Sequence, residues 1–178
     1  MIAPTTILVG RIGRVFWLRV EGRGTFQHSV QVKRAIQAVL AGGLRNVVID
    51  LEHCPMMDST FLGTLTGAAL SLRNLGEGSL SVLNANERNQ KLLTSLGLDH
   101  IVHLDIEGTA WQDERRQVGV HLADCQERGA SCKEEHTHHV LQAHQTLASV
   151  NGVNQGRFRD VIHFLEKELG NGTVPAGR

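Results

Sequence analysis

The sequence predicts an α/β fold in which one mixed β-sheet of about five strands packs with helices, followed by an all-helical C-terminal extension. Short apolar runs rich in β-branched residues alternate with amphipathic helical segments over residues 5–104. Beyond Gly108 the alternation ends and only a helical period continues. We therefore divide the chain into a sheet domain at residues 1–108 and a helical extension at residues 109–178.

The sheet domain begins with a predicted β-hairpin. Residues 5–9 and 14–20 form its two arms, joined by a glycine-containing turn. A helix follows from Thr25 or Ser29 to about residue 41, where two glycines stop it. These elements supply the first two strands and the first helix.

A strand, a turn and a helix come next in the chain. Residues 46–51 are apolar and β-branched, as in a strand covered on both faces, and Pro55 then interrupts regular structure. Apolar residues recur at three- and four-residue intervals as far as Leu75. This pattern predicts an amphipathic helix that starts near Asp58 or Ser59.

The remaining elements of the sheet domain are shorter. Residues 80–83 form a third core strand, and a helix capped by Asn84 or Asn86 runs to a stop at Gly97. Residues 101–104 form a last short strand. The strand–helix–strand alternation is typical of an α/β sandwich.

Three helical segments are predicted in the extension. They cover residues 111–125, 133–150 and 157–169, and the last is the most strongly amphipathic in the chain. Short helices are marginal alone, so their apolar stripes must bury against each other, the sheet domain or a second chain. We expect a helical hairpin or three-helix arm that forms a homo-oligomer through residues 111–169, with a frayed tail from about residue 170.

The helix that starts near Ser59 carries a second stripe of small or short polar residues. They lie opposite its apolar face and follow helical spacing: Thr60, Gly63, Thr64, Gly67, Ser71 and Asn74. Each glycine inside a helix costs about 1 kcal/mol against alanine, so two of them suggest a contact. Such a flat surface lets another backbone approach closely, either inside the same fold or on a partner.

Asp58 and Ser59 suit the start of this helix. Their side-chain oxygens can accept hydrogen bonds from first-turn N–H groups, and capping is the simplest interpretation of their position. The same N–H groups and the positive end of the helix dipole also tolerate a phosphate. A serine esterified here would therefore sit where its charge is accommodated.

These segments together resemble the STAS domain, named for sulphate transporters and anti-sigma factor antagonists. The resemblance rests on VVIDL, on MDSTFLGTL after the turn, and on residues 80–84 and 92–99, and it covers residues 5–106. In the antagonist branch the motif is Asp-Ser-Ser/Thr-Gly-Leu-Gly. Its phosphorylated serine follows the aspartate directly, which implies Ser59 as the phosphorylation site.

The chain departs from the family pattern at two positions. Phe61 stands where the family usually has glycine. The family also has a Gly-Glu-x-Asp turn on its partner-facing side, which falls on residues 21–24 and places Gly24 at the aspartate position. The carboxylate that the family places beside the serine is therefore absent from this chain.

The resemblance implies a non-catalytic regulator that switches partners through phosphorylation of Ser59. Its partners would be an anti-sigma factor or serine kinase of the histidine-kinase-like ATPase type and a PP2C-type phosphatase. A phosphate adds about −1.5 to −2 charges to the contact surface, and desolvating them would weaken the complex. The expected partner-binding residues are Glu21, Gly22, Arg23, Gly24, Asp58, Ser59, Thr60, Gly63, Thr64, Gly67 and Ser71.

Two other functions stay open. A scaffold or transporter-associated subunit would keep the fold without phosphorylation and assemble through its C-terminal helices. A metal-responsive regulator would use a cluster within fifteen residues, although the cluster lacks the tight pairing of usual zinc sites: Cys125, Cys132, His136, His138 and His139. The simpler interpretation of the histidines is a solvated helix end with His144 half buried.

Composition argues against several other classes. Eighteen basic and eighteen acidic residues cancel, which disfavours a dedicated nucleic-acid or membrane-surface binder. No secretory signal and no run of about 18 apolar residues is present, and three cysteines give no regular disulfide framework. We therefore expect a cytoplasmic protein without membrane insertion.

An enzyme is also disfavoured. His53 and Cys54 lie beside Asp58 in sequence, but adjacent residues at a strand end point to opposite sides and cannot form a nucleophile–base pair. The glycine-rich motifs that cradle phosphates in nucleotide-binding proteins are absent. We expect no catalytic residues and no cofactor.

Overall fold

A computed structural model of the chain describes residues 4–126, 129 and 131–171. Within these residues six strands alternate with, and are followed by, six α-helices. The strands are β1 (Thr6–Ile12), β2 (Val15–Glu21), β3 (Asn46–Asp50), β4 (Ser79–Leu83), β5 (His103–Asp105) and β6 (Ala123–Asp124). The helices are α1 (Phe26–Ala41), α2 (Ser59–Asn74), α3 (Glu87–Ser95), α4 (Gln112–Gln117), α5 (Lys133–Val150) and α6 (Gly152–Asn171).

The strands form one mixed sheet in the order β5-β4-β3-β2-β1-β6. The hairpin of β1 and β2 is antiparallel, whereas β2, β3, β4 and β5 pair in parallel. Parallel neighbours need crossover connections, which α1, α2 and α3 provide. The predicted α/β fold with a mixed sheet is confirmed.

The main hydrophobic core lies between one face of the sheet and the helices. Alternate strand residues such as Leu18 and Ile49 point into it, and they meet Ile36 of α1 and Leu65 of α2. Both α2 and the C-terminal hairpin contribute, because Leu147 of α5 belongs to the same buried cluster. This arrangement fixes α2 against β3 and β4, with its first turn at the carboxyl end of β3.

The second face of the sheet is covered by the segment that follows β5. Val118 is buried there with Trp17, and the ring of Trp111 packs against the same cluster. The indole nitrogen of Trp111 also donates a hydrogen bond to Ser81 Oγ at 3.0 Å. This segment therefore shields the second face of the sheet from solvent.

The predicted helix over residues 111–125 is wrong. α4 ends at Gln117, a 3-10 turn spans Val118–Val120, and the chain then forms β6 at the edge of the sheet. Its two residues pair antiparallel with Leu8 and Val9 of β1. The apolar residues recur at helical spacing because they cover the sheet, and a strand of two residues carries no periodic signal. The sheet consequently has six strands in the described part of the chain, one more than expected.

The C-terminal helices form a hairpin. α5 packs along both α2 and α6, and α6 starts earlier than predicted because the Asn151 side chain accepts a hydrogen bond from the Asn154 N–H at 2.8 Å. α6 continues to Asn171, and the rest of the predicted frayed tail, residues 172–178, lies outside the described residues. The domain boundary near residue 108 and assembly into an oligomer stay predictions.

None of the helices in the described part of the chain combines the length and the apolarity that crossing a bilayer requires.

Candidate functional site

Asp58 ties the starts of two helices together. Its Oδ1 accepts a hydrogen bond from the Phe61 N–H at 2.8 Å, which caps α2, and its Oδ2 accepts one from the Phe26 N–H of α1 at 2.8 Å. The Asp58 N–H in turn donates to the Gly24 carbonyl at 2.9 Å. The predicted capping role is present, and it holds the loop after β2 against the loop after β3.

The loop at residues 21–24 lies beside the start of α2, as the predicted partner-binding surface requires. Gly24 pairs with Met57 in a parallel bridge, and the Gly22 N–H donates to the His53 carbonyl at 3.0 Å. The Glu21 carboxylate lies 2.9 Å from His53 Nδ1. This hydrogen bond and the negative charge of Glu21 raise the pKa of His53. Arg23 is exposed to solvent.

The two departures from the family pattern contact each other. A Cβ atom added to Gly24 would lie 2.9 Å from Cδ1 of Phe61, a side chain that is fully buried. Such a separation is shorter than real Cβ contacts allow. The phenyl ring of Phe61 therefore occupies the space that a side chain at position 24 would need. The glycine at position 24 and the phenylalanine at position 61 thus fit together in the core.

Ser59 is the first residue of α2, and its hydroxyl is bound by α5. Ser59 Oγ lies 2.9 Å from His144 Nε2, and His144 Nδ1 lies 2.8 Å from the Val140 carbonyl oxygen. Because a carbonyl only accepts, His144 Nδ1 donates to Val140, and in the neutral tautomer with that proton Nε2 accepts from the serine. His144 is 5% exposed and packs edge-on against Phe158 of α6.

A second hydroxyl of α2 meets a second histidine of α5. Thr64 Oγ1 donates to the Thr60 carbonyl at 2.8 Å, so it accepts from His139 Nε2, which lies 2.9 Å away. His139 is 6% exposed, and its Nδ1 has no hydrogen-bonding partner among the described residues. Burial, with a smaller contribution from the charge of Lys33, lowers the pKa of His139 to about 4.

The stripe of small residues on α2 is where α5 crosses it. A Cβ atom on Gly63 would lie 2.3 Å from the Ala143 carbonyl oxygen, so the two backbones meet at this glycine. Thr60 and Thr64 are buried, whereas Gly67 is half-buried and Ser71 is exposed. The stripe predicted the close approach of another backbone, either from the same fold or from a partner. In the structure that backbone is α5 of the same chain.

Sequence reasoning missed the histidines of α5 as contacts of Ser59 and Thr64. His144 is buried and not half buried as expected, because α2 and α6 enclose it. Three residues of α5 that meet α2, His139, Ala143 and His144, do share one helix face. The spacing of these three residues therefore indicated a buried helix face. It did not indicate that this face would pack against α2.

The proposed metal cluster is dispersed. His139 is turned towards Thr64, His138 is exposed, and the Cys132 sulfur accepts from the Glu135 N–H at the start of α5. In the described ranges, the structure brings no three His, Cys, Asp or Glu side chains into a group that could hold a metal ion.

His53 and Cys54 point in opposite directions, as predicted. The Cys54 thiol is 1% exposed, and burial raises its pKa, whereas His53 faces Glu21 at the surface. A thiol that is buried and protonated is a poor nucleophile. The pair therefore makes no nucleophile–base couple.

A buried carboxylate that sequence reasoning did not single out lies at the end of β3. Asp50 Oδ1 accepts from Asn84 Nδ2 at 2.8 Å, while Oδ2 accepts from Arg19 Nε at 2.8 Å and Trp17 Nε1 at 3.1 Å. Burial alone would raise the pKa of Asp50. The hydrogen bonds from Asn84 and Arg19 and the charge of Arg19 outweigh burial and hold the pKa below its ordinary value.

Comparison with known proteins gave one family and several relatives. The family model described as the STAS domain matches residues 6–110. Anti-sigma-B factor antagonists of Staphylococcus aureus strains NCTC 8325 and COL are each 29% identical to this chain over 79 residues. The alignment covers 44% of this chain and 71% of each of them. α5 and α6 lie beyond the residues that the family model matches.

Solved structures show the same fold. A crystal structure of a putative anti-sigma factor antagonist from Thermotoga maritima has a TM-score of 0.52 and 23% identity, covering 64% of this chain and 94% of that chain. An anti-sigma factor antagonist from Mycobacterium paratuberculosis has a TM-score of 0.52 and 22% identity, covering 67% and 99%. At such identities the likeness concerns the fold alone.

Proposed function

This chain belongs to the STAS domain family, because the family model matches residues 6–110, and on that premise we propose that it is a phosphorylation-controlled regulator of the anti-sigma factor antagonist type. Its proposed partners are an anti-sigma factor or serine kinase of the histidine-kinase-like ATPase type and a PP2C-type phosphatase. The relatives named as anti-sigma-B factor antagonists support this choice. We assign it to the cytoplasm, where its cysteines would stay reduced.

The observation that carries the proposal is the position of Ser59. It is the first residue of α2, directly after a capping aspartate, and it lies next to the loop at residues 21–24. First-turn N–H groups and the helix dipole favour a negative charge at this position. A phosphate on Ser59 would therefore be tolerated by the chain itself.

The proposed switch is electrostatic. The unmodified surface around Ser59 binds the partner, and phosphorylation adds about −1.5 to −2 charges at its centre. Desolvating that charge against a partner surface that offers no matching cation weakens the complex. Asp58 holds the loop and the first turn of α2 in the orientation that presents the serine.

Intact-mass measurement tests this function. The full chain is incubated with ATP and an extract of its own cells, and the expected product is heavier by about 80 Da, the mass of one phosphoryl group. Ser59→Ala should abolish the product, whereas Ser95→Ala, an exposed serine on α3, should leave it unchanged. A product that persists in Ser59→Ala would contradict the assignment.

A second function keeps the fold and drops the switch. A scaffold or transporter-associated subunit is favoured by the engagement of the Ser59 hydroxyl with His144 and by the missing carboxylate at Gly24. Light scattering on the full chain separates the two. A stable oligomer that is lost in Phe164→Glu, a change at the exposed face of α6, together with no added phosphoryl mass, would support the scaffold.

A further inference from the structure

We infer that α5 is a built-in competitor for the interaction surface on α2, and that the helical hairpin (residues 133–171) must leave this surface before a partner helix can bind there and before a kinase has open access to Ser59. The inference rests on the proposed function, since it assigns regulation to the same serine. It follows from three features of the contact between α2 and α5: its closeness, its hydrogen bonds and its composition.

The closeness of the contact excludes any third element. The Ala143 carbonyl oxygen would lie only 2.3 Å from a Cβ atom on Gly63, so no space separates the two helices at their crossing. A partner that uses the small-residue stripe must therefore take the place of α5. The chemistry of that partner follows from the stripe: a helix that presents a small residue opposite Gly63 and polar groups to the two hydroxyls.

The contact places an α5 side chain against one side of the Ser59 hydroxyl. Ser59 Oγ donates to His144 Nε2 at 2.9 Å, and His144 is itself buried between α2 and α6. Transfer of a phosphoryl group needs an approach to Oγ from a side that is free of protein atoms. With α5 in place Ser59 is only half-buried, so α5 restricts the approach to Oγ from one side and phosphorylation should be slower than on the uncovered surface.

The composition of the contact makes it reversible. At the crossing the facing residues are small or polar, with Thr60, Gly63 and Thr64 on α2 against His139 and His144 on α5. His139 Nδ1 finds no hydrogen-bonding partner among the described residues, which lowers the net gain of closing. Such contacts resemble those of transient interfaces more than those of an apolar core.

The end of the hairpin, in contrast, is anchored to the domain. Asn154 Nδ2 donates to the Leu96 carbonyl at 2.9 Å and to the Leu147 carbonyl at 3.1 Å, and Asn151 Nδ2 also donates to Leu96 at 3.3 Å. Phe158 of α6 belongs to the main hydrophobic core, and Leu147 of α5, which belongs to it too, would have to leave it when α5 and α2 separate. The anchor keeps the hairpin on the molecule while α5 and α2 separate.

A reversible disulfide tests the inference on the full chain. A Cβ atom on Gly67 would lie 4.0 Å from Thr146 Cγ2, so these two positions face each other across the helix crossing. The lock variant combines Gly67→Cys with Thr146→Cys. The two native cysteines that are not buried are replaced by Cys125→Ser and Cys132→Ser, so that they cannot form other disulfides. Oxidation fixes α5 on α2, and a reducing agent releases it.

Two measurements on the lock variant decide the outcome. Oxidation should slow hydrogen exchange of α5 amides and phosphorylation of Ser59 at least tenfold, and reduction should restore both rates. Equal phosphorylation rates in the oxidised and reduced forms would overturn the inference. It would also be overturned if α5 amides exchange as slowly as those of β3 and β4 and respond identically to denaturant, since the hairpin would then open only on global unfolding.

A matched pair of variants gives the opposite test without a disulfide. His144→Ala removes the hydrogen bond to Ser59 from the α5 side and leaves α2 unchanged, so α5 exchange and Ser59 phosphorylation should both become faster. His138→Ala, an exposed histidine on the same helix, should change neither. If no variant is ever phosphorylated, the proposed function fails, and hydrogen exchange alone still decides whether the hairpin opens independently.

Discussion

At the scale of single residues, the most informative contact joins Gly24 and Phe61. Both positions depart from the family pattern, and the residue at one position determines which side chain fits at the other. A buried phenyl ring lies where a side chain at position 24 would extend, so the loss of the family carboxylate is linked to a gain in core packing. The sequence showed both departures, but only the fold shows that they touch.

A double-mutant cycle measures this link. Gly24→Ala in the wild-type chain should lower the free energy of unfolding by about 1–3 kcal/mol, because the new Cβ atom overpacks the core against Phe61. With Phe61→Leu already present the same change should cost less, giving a coupling of about 0.5–3 kcal/mol. Gly42→Ala, whose Cβ atom meets nothing closer than 3.5 Å, is the control for removing a glycine. Urea unfolding that shows additive effects would contradict the link.

His139 gives the protein a defined response to acid. Its pKa is about 4 in the folded chain and about 6.5 when exposed, so between these values the unfolded chain binds a proton that the folded chain refuses. Burial of His139 therefore carries no protonation penalty above pH 6.5, and the folded chain loses stability as the pH falls towards 4. Lys33 of α1 and His136 of α5 disfavour the protonated ring, and Glu135 opposes them.

The acid response should disappear when the imidazole is removed. The shift of the His139 pKa corresponds to about 3 kcal/mol of unfolding free energy between pH 7 and pH 4. His139→Gln should flatten this part of the stability profile, whereas His138→Gln at an exposed position should not. Chemical unfolding at several pH values measures both. A profile that is unchanged in His139→Gln would show that His139 takes up its proton without opening the fold.

At the scale of elements, the crossing of α2 and α5 depends on one glycine. Gly63 and Gly67 lie one turn apart on the same stripe, yet only Gly63 meets backbone atoms closely. Replacing either by alanine should gain helix propensity of up to about 1 kcal/mol. At Gly63 this gain is outweighed by the clash between the new Cβ atom and the Ala143 carbonyl oxygen. That oxygen belongs to a helix backbone and cannot move away without shifting the helix.

The two substitutions therefore have opposite expected signs. Gly67→Ala should leave stability unchanged or raise it, while Gly63→Ala should destabilise the chain by about 1–3 kcal/mol and speed the exchange of α5 amides. Thermal unfolding with hydrogen exchange measures both quantities. If Gly63→Ala proves as stable as Gly67→Ala, the close approach of α5 to α2 is not essential to the fold.

The elements also show what sequence reasoning can reach. The first five strands and α1, α2 and α3 were predictable, since each has a clear period and a glycine, proline or capping residue at its ends. The segment at residues 111–125 was not, because apolar residues at helical spacing can equally cover a sheet face. The stripe on α2 predicted that a backbone approaches, but the choice between α5 and another protein depends on tertiary packing.

At the scale of the whole molecule, two buried carboxylates tie the carboxyl ends of the parallel strands together. Asp50 of β3 binds Arg19 of β2, and Asp105 of β5 binds Arg115 at 2.8 Å. Asn84 joins the two pairs, since its Nδ2 donates to Asp50 and its Oδ1 accepts from Arg115 Nη1 at 2.8 Å. The loops that surround Ser59 start from this rigid edge of the sheet.

Removing one cation should loosen the whole edge. Arg19→Met leaves Asp50 buried without its charge partner, which should lower the free energy of unfolding by about 3 kcal/mol. The pKa of Asp50 should rise, so the variant should lose stability at a higher pH than the wild type as the solution is acidified. Arg11→Met, an exposed arginine on β1, serves as the control. An Arg19→Met variant as stable as this control would show that Asn84 and Trp17 suffice for Asp50.

Under the proposed regulation, the covalent link between α5 and the surface it covers sets a threshold for signalling. A tethered helix acts at an effective concentration in the millimolar range, whereas a free protein in a cell is often present at about a thousandth of that. A rival must therefore bind the bare surface roughly a thousandfold more tightly than α5 does, or arrive with help from a second contact. A protein that binds only weakly then fails to displace α5. The length of the chain between α2 and α5 determines how tightly a partner must bind.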